Sequence, residues 1–247
     1  MDREILILRT GEPPRRVKEK CGSYDQAIID ALAREGRFVV VDAQREPLPE
    51  SEFGGIIITG SAASAYEEDA WIRKSEDFLR RAADRGTAIY GICFGHQLLA
   101  QAFGGRVEKC PRGWELGTAS ISVCDEALND PLFAGLPTEF PAQLSHGDVV
   151  IELPSGATPL ASNGHWPIQA FRLGENIWGT QFHPEFTLGI MEGLVDSLTA
   201  SLPARAFPAL MGEQSIRERI HAGLRETPQA RSCLRNFLRF ITGPERP

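Results

Sequence analysis

The chain has 247 residues, 42% of them hydrophobic and 24% charged, and a formal net charge of −7. Such a composition is ordinary for a globular protein that buries its core without staples. The acidic balance without a long Lys/Arg run argues against nucleic acid as the main partner. No stretch approaches the ~18 apolar residues of a membrane span, and the short apolar run 5–8, flanked by acids, does not read as a signal peptide. The five cysteines, Cys21, Cys93, Cys110, Cys124 and Cys233, are irregularly spaced and form no CxxC. That pattern argues against a disulfide framework or a zinc site and for a reducing, cytoplasmic setting. Apart from Cys93, they read as small buried hydrophobes.

In chain order, residues 4–8 read as a strand and 24–34 as a helix, with Ala27, Ile28, Ala31 and Leu32 at helical spacing. Gly36 breaks that helix, and 38–41 and 55–59 read as buried strands. Residues 69–83 are helical, with Trp71, Ile72, Phe78, Leu79 and Ala82 apolar. A strand at 88–90 leads into a helix from about 95 to 103, ended by Gly104 and Gly105. Continuous apolar strands alternating with helices imply an α/β fold, an open, mostly parallel sheet with helices on both faces. From residue 106 the pattern changes. Residues 118–124 alternate, and 142–144, 149–153, 167–171 and 177–182 are further short strands, a smaller antiparallel region inserted into or extending the sheet. Helix returns over 187–200. Two prolines follow, then amphipathic helices at 215–224 and 229–241, the latter with Leu234, Phe237, Leu238 and Ile241 on one stripe. The expected organisation is a domain over 1–200 and a helical extension over 201–247, packed on that domain or in a homodimer contact.

The chemistry concentrates at Gly91-Ile92-Cys93-Phe94-Gly95, where a strand stops and a helix starts. A G-x-nucleophile-x-G turn reverses the chain sharply and lifts its central side chain above the sheet's carboxyl edge. Free amides at a helix N-terminus favour a thiolate there, and the Phe94 N–H can also donate to an oxyanion. A thiol nucleophile needs a base. Of five histidines, His221 lies in the tail. His96 reads as a solvated or supporting side chain, and His165, in Ser-Asn-Gly-His-Trp-Pro, as an exposed turn residue. His183 ends a strand in Gly-Thr-Gln-Phe-His-Pro-Glu-Phe. If extended geometry holds through Glu185, the two share a face and Glu185 can orient the imidazole. Cys93, His183 and Glu185 then form nucleophile, base and orienting carboxylate. Gly60, in Ile-Ile-Thr-Gly-Ser at another strand's carboxyl end, is the candidate second oxyanion donor.

These motifs, GICFGHQ, GTQFHPEF, the upstream TGS and the intervening Leu144-Ser145-His146-Gly147-Asp148, resemble the class I, triad-type glutamine amidotransferases, a flavodoxin-like α/β family. The SHGD stretch is most similar to the amidotransferase domain of GMP synthetases. The resemblance covers about residues 4–195. It implies attack of Cys93 on the γ-carboxamide of glutamine, a γ-glutamyl thioester, and release of glutamate and ammonia. It also places Gln97, Ser145, His146, Gly147 and Asp148 against the glutamine α-amino and α-carboxylate groups, and implies no metal or other cofactor. Nothing resembles a synthetase phosphate loop, so a separate synthetase chain is the expected ammonia-using partner. Two alternatives stay open: a γ-glutamyl peptidase using the same thioester, with 113–117 lining the leaving-group side, and a non-enzymatic redox or interaction module of the wider flavodoxin-like type.

Overall fold

The computed structural model describes residues 4–212 and 214–243. Its strands are β1 (Ile5–Arg9), β2 (Phe38–Asp42), β3 (Gly55–Ile58), β4 (Ala88–Ile92), β5 (Arg106–Lys109), β6 (Glu115–Val123), β7 (Glu139–His146), β8 (Asp148–Glu152), β9 (Ala157–Ser162), β10 (Ala170–Leu173) and β11 (Ile177–Thr180). Its helices are α1 (Arg15–Cys21), α2 (Tyr24–Ala31), α3 (Ala70–Asp84), α4 (Phe94–Ala102), α5 (Leu188–Ser201), α6 (Ile216–Gly223) and α7 (Ser232–Thr242). Among the described residues, one nine-stranded sheet runs in the order β2-β1-β3-β4-β11-β10-β9-β6-β7, and β5 and β8 form a separate two-stranded sheet. The strands from β2 to β11 pair in parallel. Those from β10 to β7 extend the same sheet antiparallel. The fold is therefore α/β, with a mixed sheet and a small antiparallel pair beside it.

Alternation along the central strands decides which layer each side chain joins, because successive residues point to opposite faces. Ile5 and Ile7 of β1 face one core with Ile28 of α2 and Leu234 and Phe237 of α7. Leu6 and Leu8 face the other, with Phe78 and Leu79 of α3 and Leu98 and Leu99 of α4. A third apolar cluster joins Val17 of α1, Leu194 of α5 and Ile220 of α6. The C-terminal stripe is thus sheet cover: Phe237 packs 5.5 Å from the Tyr90 ring and 6.2 Å from Trp178.

Three elements have no counterpart in the sequence pattern. Helix α1 has one buried residue, Val17, and follows two prolines. Strand β5 alternates too briefly, with only Val107 buried. Strand β9 contains Pro159, which ordinarily argues against an interior strand. It sits there beside a register irregularity between Ala170 and Phe171, the kind of place where a missing ladder donor is tolerated.

Candidate active site

Strand β4 and helix α4 meet at Cys93, whose backbone adopts φ 53° and ψ −101°. A non-glycine residue holds that conformation only where its surroundings impose it. Gly91 and Gly95 impose it by close approach. A Cβ on Gly91 would overlap the Gly95 carbonyl, and one on Gly95 would lie 2.7 Å from the Ile58 carbonyl oxygen. Cys93 itself is 5% exposed. Its peptide N–H is tied to the Thr180 carbonyl at the end of β11, so two neighbouring parallel strands fix the turn.

Strand β11 stops at Thr180; the chain bends at Gln181 and Phe182, His183 forms an isolated antiparallel bridge with Gln143, and a turn carries Pro184 and Glu185. The expectation of extended geometry through Glu185 is corrected to that extent. The turn nevertheless brings His183 Nδ1 to 2.8 Å from Glu185 Oε1. A carboxylate can only accept, so Nδ1 carries a proton whatever the charge on the ring, and Nε2 is the nitrogen left to exchange one with the thiol. The imidazole stacks on Phe186, with centroids 3.8 Å apart and planes 9° apart, and its amide donates to the Gln143 carbonyl. Burial disfavours the imidazolium, but Glu185 and Cys93 outweigh it and raise the His183 pKa to about 10. A Cβ placed on Gly60 would lie 3.1 Å from His183 Cε1 and 3.8 Å from Cys93 Cβ. The imidazole and the thiol-bearing residue therefore converge over one glycine.

Gly60 does not need an unusual φ, since it is absent from the positive-φ residues; what its bare Cα supplies is room. The peptide that carries its N–H is held from behind. Thr10 Oγ1 donates to the Thr59 carbonyl at 2.8 Å, and the Thr10 amide donates to Thr59 Oγ1 at 3.0 Å. In a trans peptide C=O and N–H point opposite ways, so pinning the Thr59 carbonyl aims the Gly60 N–H. Neither the Gly60 nor the Phe94 amide has a hydrogen-bond partner among the described residues.

A cavity of about 420 Å³ opens beside Cys93, with Gln97, Ser145, His146, Gly147 and Asp148 in its wall. These five residues do different things there. The Ser145 carbonyl lies 3.8 Å from Cys93 Sγ. Gly147 packs against Trp114 so closely that a Cβ would lie 2.7 Å from its ring. The Asp148 carboxylate accepts from Ser64 Oγ at 2.5 Å and Tyr66 Oη at 3.3 Å, both in the long segment after β3. The His146 ring has no free nitrogen to offer: Nδ1 meets the Asp148 carbonyl and Nε2 meets Glu115 Oε2, each at 3.0 Å. Burial opposes ionisation of Glu115, yet His146 and His165 hold its pKa below the usual carboxylate range. Gln97 Nε2 donates to the Asp148 carbonyl at 2.9 Å and to Gln181 Oε1 at 3.0 Å.

Two histidines differ from expectation. His96 is not solvated; it is fully buried against Phe171, and burial lowers its pKa to about 3. His165 is half-buried, with Nε2 at 3.4 Å from Cys110 Sγ and 3.2 Å from the Gly113 carbonyl. His221 pairs with Asp196. Thr10, Ser64, Tyr66 and Gln181 were not singled out by the sequence, whereas Trp114 lies in the 113–117 stretch expected on the leaving-group side and does stand in the cavity wall. Of those four, only Gln181, inside the His-Pro-Glu motif, carried a positional signal.

The profile described as glutamine amidotransferase class-I matches residues 17–195. The chain belongs to this family. Relatives of two kinds match it. Gamma-glutamyl peptidase 4 of Arabidopsis thaliana is 32% identical over 205 residues, 79% of this chain and 80% of that one. The glutamine-hydrolyzing GMP synthase of Thermosipho africanus is 37% identical over 168 residues, 66% of this chain but 31% of that protein. Among solved structures, a glutamine amidotransferase from Thermotoga maritima shares the fold at a TM-score of 0.72 and 19% identity, covering 98% of both chains. A glutamine amidotransferase from Methylobacillus flagellatus does so at 0.74 and 21%, over 100% of this chain and 97% of that one. Family membership makes the chain a member of an enzyme family of amidotransferases and hydrolases, and no described helix is long and apolar enough to cross a membrane.

Proposed function

We propose that this amidotransferase hydrolyses the γ-carboxamide of glutamine through a thioester on Cys93, with His183 and Glu185 as base and orienter. The observation that carries the reading is the buried His183–Glu185 pair, whose imidazole stands over Gly60, at Cε1, beside the Cys93 elbow. Cys93 gives its thiol proton to His183 Nε2, and the sulfur attacks the amide carbon. The Gly60 and Phe94 amides receive the resulting oxyanion. The tetrahedral adduct collapses as the imidazolium protonates the leaving nitrogen, and ammonia departs. Water, deprotonated by His183, then cleaves the thioester, and sulfur leaves to recover its proton. In this reading the cavity wall of Gln97 and residues 145–148 surrounds the amino-acid end of the substrate, and a separate synthetase chain takes the ammonia.

A second reading, cleavage of γ-glutamyl peptides, has its own support. The peptidase relatives match this chain over 74–80% of their length, whereas the GMP synthases match over under a third. The cavity also continues past residues 145–148 to Lys109, Trp114, Leu202 and Ala206, which leaves room for a leaving group larger than ammonia. Both readings share the same acyl half and the same thioester. Purified protein offered glutamine, a γ-glutamyl dipeptide and glutathione separates them. Slow glutaminase activity that rises with a partner supports the first; fast peptide cleavage without a partner supports the second. Undiminished turnover of every substrate by Cys93→Ala overturns both.

A further inference from the structure

Beside Cys93 two buried glutamines form a chain that the triad chemistry leaves unused. Gln181 Nε2 lies 3.5 Å from Cys93 Sγ, Gln97 Nε2 lies 3.0 Å from Gln181 Oε1, and Gln97 Nε2 lies 2.9 Å from the Asp148 carbonyl. Gln181 is 0% and Gln97 3% exposed.

The polarity of this chain is fixed from its far end. A backbone carbonyl can only accept, so the Gln97 atom facing Asp148 must be the amide nitrogen. The same nitrogen has its second hydrogen for Gln181, so the atom it meets must be Oε1. The remaining end of the Gln181 amide is then its NH₂ group, and that end faces the sulfur. Turning Gln97 over would set its oxygen against the Asp148 carbonyl and Gln181 Oε1, and turning Gln181 over would set donor against donor at about 3 Å. The backbone holds both ends of the chain. The Gln181 amide N–H is bonded to the Gln169 carbonyl, and Gln97 is anchored one turn into α4 by its bond to the Cys93 carbonyl.

We propose that Gln181 is a further catalytic residue, a side-chain N–H donor to the Cys93 thiolate, and that Gln97 is the positioning residue that aims it. The proposal rests on Cys93 being the nucleophile. No proton leaves Gln181; the thiol proton goes to His183, and Gln181 only shares its N–H with the charged sulfur. The donor matters twice. It stabilises the thiolate before attack, and it stabilises the same thiolate when sulfur is expelled from the second tetrahedral adduct. It also offsets the Ser145 carbonyl, an acceptor 3.8 Å from the sulfur that suits the thiol and not the thiolate. Gln97 has only its Oε1 uncommitted and acts on the reaction through Gln181.

The test needs no substrate. Iodoacetamide alkylation of the Cys93 peptide, followed by mass spectrometry between pH ~5 and ~10, reads the thiolate directly. The other titratable groups around the sulfur are His183 and Glu185 after β11 and Tyr24 on α2, and Lys109, Cys110, His146 and Asp148 stand in the wall of the same cavity. Tyr24 stays protonated across this range, because burial and the nearby Cys93 and Glu185 charges push its pKa upward. Gln181→Leu is expected to move the alkylation midpoint up by about one pH unit. Gln97→Leu is expected to move it the same way by less, which loss of packing alone would not do. Should Gln181→Leu fail to fold, Gln181→Glu keeps the volume, replaces the donor by oxygen, and is expected to move the midpoint further. His183→Ala is the reference. An unshifted Gln181 profile beside a shifted His183→Ala profile overturns the glutamine relay alone. Unshifted profiles in both overturn the nucleophile assignment with it.

Discussion

At the scale of single residues, the site is a set of atoms whose donor and acceptor roles are forced by their neighbours. Glu185 forces the His183 tautomer, and Thr10 forces the direction of the Gly60 amide. Thr10→Val removes the hydroxyl that pins the Thr59 carbonyl. Its expected effect is a roughly 10-fold fall in kcat with KM little changed, less than the ~10²-fold loss when an oxyanion donor is removed outright. Steady-state kinetics on the preferred γ-glutamyl substrate checks it. His96 makes a stability prediction. Its folded pKa of about 3 lies below the unfolded ~6.5, so from pH ~6.5 downward the unfolded chain binds a proton that the native protein refuses. Stability from this group is complete above pH ~6.5 and is lost as pH falls, by up to about 1.4 kcal/mol per unit. His96→Met is expected to flatten that slope, measured as urea midpoints between pH ~7.5 and ~5. The sequence made Cys93, His183 and Glu185 visible because each sits in a short, punctuated motif. It could not show that His96 turns into the core or that His146 is spent on Glu115, since both depend on groups far away in the chain.

Among the elements, the β4–α4 turn is the one with least tolerance. Ala at Gly91 places a methyl on the Gly95 carbonyl, and Ala at Gly95 places one against Ile58. Either substitution is expected to abolish Cys93-dependent turnover, and circular dichroism together with Cys93 alkylation will show whether the fold or only the turn is lost. The central parallel strands were legible because each is a continuous apolar run, and α4 because it opens on Gly-x-Cys-x-Gly. Strand β9 was not, because a proline inside a strand is accommodated by a register shift in its partner. Strand β5 was not, because its pairing with β8 in a second sheet owes little to its own apolar content. The sequence pattern extends the strand to residue 182, two residues past the end of β11 at Thr180. The departure from extended geometry there did not break the His183–Glu185 contact, since both side chains still converge at the sheet's edge.

On the scale of the whole molecule, the segment beyond residue 201 serves two regions at once. Leu202 and Ala206 stand in the cavity wall, and the Ala206 carbonyl accepts the Trp114 amide at 2.7 Å. Helix α7 covers Tyr90, Trp178 and the β3 backbone at Gly55. Phe237→Ala is expected to cost about 3–5 kcal/mol of unfolding free energy, read from urea denaturation. Truncation after residue 201 is expected to expose that apolar face and yield an aggregating or loosely packed chain. A truncated chain that melts cooperatively at the temperature of the full protein would show that α7 is dispensable.

The central assignment is Cys93 as the acylated residue. Protein mixed with glutamine or a γ-glutamyl dipeptide, quenched in acid within the first turnovers and digested, reports it by mass spectrometry. A γ-glutamyl adduct on the Cys93 peptide that forms and decays with turnover, and is absent from Cys93→Ala, is expected. Substrate cleavage at an undiminished rate by Cys93→Ala, or an adduct on another residue, would contradict it.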